Sequence, residues 1–456
     1  MSDARLPQTK LILPTYTERF RCIGPACEDT CCQGWGVSVD KAAWEKYQIL
    51  PASPLRKLLD ANILLTAKPE DGSEPPSFAT IRMTASNRCS LLSEGGLCRI
   101  QPEYGEAYLP HTCATYPRIV HSIGNIEEKA LTLSCPEAAR LVLLNRELLD
   151  PSSPAITEPP DTPLPRQPGE PHAVAQARAL RPWFWSIREA VLTLVGNRDY
   201  PLWQRLFLLG VLCRRLDFVA KGCLDRPIKA VLRDFAATVA SGALRAAMDH
   251  LPLNPARQLD VVLSLAGRLL HRSNIHPRFA QCVQAFTAGI GNSPAATLES
   301  LTTQYAEAHD RFYAPFFDRN PHILENYLIN TIFRCQFPFG CEGTQPVTTP
   351  SMPSEHTRLI AQFTLMKGLL IGVAGFHREG FCAEHVVHTI QSASKHFEHH
   401  AKFLEQAHAL LAQRQMNGTL GLAFLLRNGK SSAPAMQRET ARAPLPRKKP
   451  RAAGQR

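Results

Sequence analysis

The chain lacks most of the features that would classify it at once. It has no long hydrophobic run. The longest, Gly368 to Phe376, is flanked by Lys367 and His377 and is too short to span a bilayer. The first residues, MSDARLPQTKLILPTYTERF, show no basic start leading into an apolar stretch and do not read as an export signal. No internal repeat of steady period occurs, which excludes solenoids and propellers. A basic folded surface is missing too. The net charge is +11, but residues 427–456 carry nine Lys or Arg against Glu439 alone, which is +8 of that total. The remaining body is close to neutral, and a specific nucleic-acid groove needs its charge on the fold itself.

Familiar motifs are absent as well. The paired C-x2-C of a zinc ribbon does not occur. Neither does C-x3-C-x2-C, because after Cys27 and Cys31 the required position holds Gly34. The best glycine-rich segment, GIGNSP from Gly289, follows the helical pattern RFAQCVQAFTA and not a strand, so it fails as a dinucleotide-type fingerprint.

Cysteine is plentiful. Of fourteen, eight lie in the first third: Cys22, Cys27, Cys31, Cys32, Cys89, Cys98, Cys113 and Cys135. A chain of 456 residues needs no staples to hold a core. In a reducing cytoplasm, the compartment expected here, clustered thiols are metal ligands or redox groups more often than disulfides. The first cluster spaces as Cys22-x4-Cys27-x3-Cys31-Cys32. If helical around Cys27, it turns Cys27 and Cys31 to one side and Cys32 about 100° away. The second spaces as Cys89-x8-Cys98-x14-Cys113-x21-Cys135 and is expected to fold back onto the first. Thiolates suit zinc or an iron–sulfur cluster, four suffice for either, and spacing does not choose between the metals or name the four ligands.

Proline marks the organisation. DPSSPAITEPPDTPLPRQPGEP, from Asp150, is too dense in proline for a helix or central strand. We divide the chain into a cysteine module (1–149), a Pro-rich linker (150–171), a helical domain (172–426) and a disordered basic tail (427–456). The fold class is mainly α, with a smaller α+β module at the N-terminus. GVSVD reads as a strand, with Asp40 capping the helix KAAWEKYQIL. CSLLSEGGLCRI and RIVHSIGNIEEKALTLS read as hairpins, and PEAARLVLLNRELL as a helix opening on Pro136. In PLWQRLFLLGVLCRRLDFV, Leu202, Leu206, Leu209, Cys213 and Leu216 share a face, with Cys213 a small buried group. Helical patterns follow over 225–250, 256–272, 296–313, 320–334 and 356–413, and 343–354 reads as a loop. On the last pattern His385, His388, His396 and His399 are expected on the solvent side. Glu28 and Asp29 are expected to cap the cysteine turn, and Trp35 to pack beneath it.

Together RCIGPACEDTCCQGWGVSVD, CSLLSEGGLCRIQPEYGEAYLPHTCATYPR and LTLSCPEAARLVL resemble the flagellin lysine-N-methylase family, as do ENYLINTIFRCQFPFG and IQSASKHFEHHAKFL in the helical half. The resemblance covers most of residues 10–415. It implies a cytoplasmic bacterial enzyme that moves methyl groups from S-adenosylmethionine to lysines of flagellin. It also implies a four-iron four-sulfur cluster, or alternatively zinc, on the eight cysteines named above. A lysine must lose its proton to accept a methyl group, and Glu106 or Tyr116, beside Cys113, are the candidate bases. Arg118 is the candidate for a cofactor carboxylate. Tyr104 and His111 lie in the same loop, and all five serve equally well to orient ligands. Alternative functions on the same cysteines are electron transfer, or a zinc-stabilised interaction module without catalysis. The basic tail is expected at most to attract acidic partners or an inner membrane surface weakly.

Overall fold

The computed structural model describes residues 11–12, 14–67, 77–123, 126–149, 155–156, 179–270, 275–340, 351–398 and 401–429. Among the described residues the chain is mainly α, with small sheets confined to residues 11–156.

Residues 37–113 build a small core of their own. Strands β2 (Ser38–Val39), β3 (Ile63–Leu65) and β4 (Ala79–Ile81) form an antiparallel sheet in the order β2-β4-β3. Two helices cover it, Lys41–Gln48 and Pro54–Asn62. Asp40 caps the first as expected, accepting from the Ala43 amide at 2.9 Å. Ser53 caps the second from the Arg56 amide at 3.0 Å, and Pro54 fills its first turn. Val39, Tyr47, Leu59, Ile81, Leu91 and Ile100 fill the space between.

The second hairpin joins strands β5 (Arg118–Ile123) and β6 (Ile126–Leu131), and the helix Pro136–Leu143 follows. These elements share the core of the helical half. Glu128 on β6 and Arg188 on the helix Phe184–Gly196 make a fork-to-fork pair at 2.8 Å with both side chains fully buried. Asn330, on the helix His322–Arg334, treats β6 as a neighbouring strand would: its amide donates to Leu131 O at 2.8 Å and its carbonyl accepts from Leu131 N at 3.1 Å. In the proline-dense stretch, Ala155–Ile156 (β7) pair antiparallel with Leu11–Ile12 (β1).

In the helical half, Leu206, Leu209, Cys213 and Leu216 on the helix Leu202–Ala220 are buried, each Leu contributing about 1.5–3 kcal/mol. Leu208 and Leu212 are buried as well, so this helix is enclosed on more than one face. The central helix, Met352–His377, starts inside the expected loop because Ser351 and Ser354 form a capping box. The apolar run at 368–376 is thus part of a 26-residue helix. By length and composition it is the one helix among the described residues able to cross a bilayer, and its apolar window is 89% buried inside the protein. It crosses the helix Pro277–Gly289 at backbone contact. A Cβ at Gly289 would stand 1.8 Å from Gly372 O, and one at Gly375 would stand 2.5 Å from Gly289 O. The single pattern over 356–413 resolves into three helices, broken at Arg378 (φ +50°) and again before Ala401. Arg427 and Asn428, assigned to the tail by sequence, are packed: Arg427 donates to Leu251 O and Asn428 accepts from Lys367 at 2.6 Å. Residues 430–456 and most of the proline-rich stretch lie outside the described residues.

Candidate functional site

All eight N-terminal cysteines are free thiols. The stretch around Cys27 is not helical. A 3-10 turn, Gly24–Ala26, precedes Cys27, which is extended, so the helix-face argument for Cys27 and Cys31 does not apply. Gly34, at φ +96°, turns the chain beneath Lys395 and His276 in a conformation that favours glycine. The two cysteine stretches meet along the backbone, where Cys89 N donates to Cys32 O at 2.8 Å. The turn at Gly96 (φ +78°) packs on Pro25.

The thiols fall into two neighbourhoods. Cys32, Cys89, Cys98 and Cys113 line the small core, and a charge on Cys32 bears on each of the other three. Cys135 belongs to the helical core and lies near Cys22 and Cys27. Cys31 stands between, close to Cys113 and Cys135 and hydrogen-bonded to Cys32. Burial pushes the Cys89 thiol up to about 11 and those of Cys113 and Cys135 up to about 12. Cys32 goes the other way, lowered by the hydrogen bond from Cys31 and by the Lys395 charge despite its burial. The donor chemistry of this set fits a soft metal. As placed, the thiols are gathered but not closed: no three metal-binding groups among the described residues surround one point.

The acidic residues between the cysteines do not cap their own turn. Asp29, 5% exposed, reaches the helical half. It accepts from Lys395 Nζ at 2.6 Å and Gln391 Nε2 at 2.7 Å, and His276 Nε2 stands at 3.2 Å. Burial alone would raise this carboxyl, but hydrogen bonds from His276 and Lys395, with the Lys395 charge, hold it well below the ordinary range. Lys395 also donates to Thr30 O at 3.1 Å. Glu28 pairs with Arg140, in the last turn of the helix after Cys135. This docking overturns the solvent-facing histidine stripe. On the helix Ala383–Phe397, His396 is buried against Phe279 and accepts from the His276 amide at 3.1 Å. His385 stacks on His377, and burial lowers His388 to about 4. His399 lies outside the described residues. The apolar side of this helix meets the helical core, and its polar side meets the cysteine loop.

The remaining sequence candidates separate. Glu106 is exposed, and no described contact joins it to a thiol. Arg118 donates to Phe20 O at 3.2 Å and stacks on the Phe20 ring. Tyr104 packs against Tyr108 with the rings tilted, and the His111 amide donates to Asp40 at 2.7 Å. Trp35 packs beside Tyr116 and donates to Cys31 O at 2.6 Å. Tyr116 lies near Cys135 and Cys31. Burial and then the Cys135 charge push its hydroxyl well above the usual value, so it holds its proton and is a poor base by itself. Its OH is 3.0 Å from Ser134 Oγ, which is 2.8 Å from Thr132 Oγ1, and Thr132 donates to the Glu398 carboxylate. Sequence reading missed Glu398, Gln391, Lys395, His276 and Arg278, and gave Asp29 only a capping role. Only the strings EDT and SASKHFEHH flagged their neighbourhoods.

A family model described as the FliB lysine N-methylase C-terminal domain matches residues 188–426, just over half of the chain. The chain belongs to this family. The flagellar biosynthetic protein FliU of Salmonella muenchen is 34% identical over 146 residues, 32% of this chain and 80% of that protein. The lysine-N-methylases of Salmonella typhimurium and Salmonella choleraesuis are 34% and 33% identical over 146 residues. Each match covers 32% of this chain and 34% of the relative, so the chain spans about a third of their length. No solved structure matches. The FliB-family segment begins at Arg188, the residue that clamps β6. It includes Asn330 and Lys395, so the helices that receive the cysteine loop are the family's own.

Proposed function

We propose that this FliB-family chain transfers methyl groups from S-adenosylmethionine to lysine side chains of flagellin, in the cytoplasm. The observation that carries the reading is the family match, together with relatives named for lysine methylation and flagellar biosynthesis. The hydroxyl chain supports the chemistry. A lysine ammonium must shed a proton before its nitrogen can attack a methyl group. The Tyr116–Ser134–Thr132 hydroxyls lead from the thiol neighbourhood to the Glu398 carboxylate, so Tyr116 passes a proton and Glu398 receives it. Glu106 has no part in this path.

The eight cysteines are the proposed holders of a four-iron four-sulfur cluster, or of zinc. Such a group, bound there, would supply positive charge against the thiolates and, if iron, a store of electrons. What the chain contributes is a buried frame for the thiols and a clamp from the helical half.

The test is anaerobic. Purified protein, analysed for iron, sulfide and zinc, is given S-adenosylmethionine and flagellin, and flagellin lysines are read by mass spectrometry. Mass steps of one CH2 per methyl group are expected. Unmodified flagellin with the metal sites loaded would sink the methylase reading and leave electron transfer or a zinc-stabilised interaction module in its place.

A further inference from the structure

The eight thiols divide into two sets of four. In the first, Cys32, Cys89, Cys98 and Cys113 pack in one small core, and every pairing among them is close enough for a charge on one sulfur to bear on the other. Backbone bonds fix three of these positions. Cys89 N donates to Cys32 O at 2.8 Å, and Leu92, whose amide donates to Cys89 O at 3.0 Å, bridges to Cys98. In the second set, Cys135 is in reach of Cys22, Cys27 and Cys31, and Cys22 of Cys27. The adjacent Cys31 and Cys32 thus belong to different sets. Both sets share a local geometry. The amides of Leu91 and Leu92 hydrogen-bond the Cys89 sulfur, those of Ile100 and Gln101 the Cys98 sulfur, and those of Glu137 and Ala138 the Cys135 sulfur. Cys22 accepts from the Gly24 amide at 3.4 Å, and Cys27 from that of Asp29. Such N–H groups favour sulfur that carries negative charge, the form in which cysteine binds a metal.

Four thiolates in one nest repel one another, and a bound cation cancels that repulsion. The two sets suit different groups. The first lies inside a core whose strands have two or three residues. The chain as a whole needs no staple, but a core of this size is where a metal adds most. A closed zinc site of four cysteines is such a staple. The second set lies where the cysteine loop meets the helical half. Cys22 is exposed, Cys135 belongs to the helical core, and Cys31 and Cys135 lie near Tyr116. A set with an open side suits a group that must meet other molecules. We propose that the chain holds two metal centres: a structural zinc on Cys32, Cys89, Cys98 and Cys113, and, separate from it, the iron–sulfur cluster on Cys22, Cys27, Cys31 and Cys135. The assignment rests on the metal-holding reading above and divides its eight ligands. The sulfurs of the first set are gathered but do not surround one point. A cysteine has one side-chain torsion, and a change of rotamer turns its sulfur without moving the backbone. Zinc closes the first set by fixing those torsions.

The test is metal content, not turnover. Full-length protein is purified anaerobically, loaded with iron and sulfide, and assayed for zinc, iron and sulfide. About one zinc is expected beside about four iron and four sulfide per chain. Zinc-edge X-ray absorption of the unaltered protein should show a shell of sulfur alone at about 2.3 Å. Cys98→Ser and Cys113→Ser should each lose most of the zinc and keep the iron with its visible absorption. Cys22→Ser and Cys27→Ser should do the reverse. If a first-set variant fails to fold, the zinc content and the zinc shell of the unaltered protein decide by themselves. Zinc that falls as iron rises, or variants of both sets that lose the same metal, would mark one shared site and overturn the proposal. A zinc shell containing nitrogen or oxygen overturns it as well. Iron without zinc also overturns it but leaves the cluster reading in place, whereas no metal at all ends both.

Discussion

Around Tyr47 the longest strand has three residues, the helices have eight and nine, and four thiols line the same small core. Around Leu369 a 26-residue helix is buried almost end to end and meets its neighbour through glycines, with no side chain between them. The helical half buries enough apolar surface to define itself. The cysteine-bearing core is slighter. The chain on either side of it is held by three polar clamps whose partner side chains all come from the helical half: Lys395 with Gln391 on Asp29 in the loop before it, and Arg188 on Glu128 and Asn330 on Leu131 in the hairpin after it. One region is made by packing, the other by being gripped.

Breaking a clamp should therefore cost more than its surface area suggests. Arg188→Leu leaves Glu128 buried without its partner, and about 3–5 kcal/mol should be lost in denaturant unfolding. Adding Glu128→Leu to it should recover much of that loss, because the stranded charge goes with it. If Arg188→Leu is neutral, the hairpin is not held by this pair.

Packing in the helical half has its own pH signature. His356, fully buried on the central helix, donates to Leu206 O at 2.9 Å, and burial lowers it to about 4. Its ring fits only because Gly210 has no side chain; a Cβ there would stand 2.5 Å from it. In the unfolded chain the imidazole titrates at its ordinary 6.5. Between those values the unfolded state binds the proton and the folded state does not. Stability is therefore complete above pH 6.5 and falls as pH drops toward 4, by about 3 kcal/mol from this residue. Thermal melts across that range should show the slope, and His356→Gln should flatten it.

Lys395→Met sharpens the comparison further. Asp29 keeps Gln391 and His276, so the cost should be smaller, about 1–3 kcal/mol. It should appear first as faster amide exchange in residues 27–34, before any change across the central helix. Equal acceleration in both would mean that the two regions unfold together.

The smallest effect is expected at the C-terminus. Deleting 430–456 should change stability by no more than about 0.5 kcal/mol. Extending the deletion to Asn428 should cost more. Asn428 is one of three acceptors around Lys367 Nζ, whose pKa burial pulls down to about 7. Equal melting temperatures for the two truncations would refute that distinction.

What the sequence made legible was local. Asp40 before a helix, Pro136 opening another, the hairpin after Arg118 and the apolar helical stripes all announce themselves within a few residues. The thiols were legible as a set because their density is abnormal. Their partition was not, since Cys31 and Cys32 are adjacent in sequence but face different neighbours. The histidine helix misled for a related reason: its polar side looks like a solvent face until the cysteine loop is laid on it. Asp29 gave no signal of its own, because a lone carboxylate in a loop carries no period and its partners lie hundreds of residues downstream.

That separation has a consequence in time. Lys395 follows Asp29 by 366 residues. At ribosomal rates of about 5–20 residues per second, the thiol loop is complete roughly 20–70 s before its helical cover exists. The Asp29 latch therefore closes last, however early the cysteine-bearing core begins to fold. During synthesis the thiols pass through an interval open to whatever small molecules surround the ribosome, and the helix Ala383–Phe397 ends it.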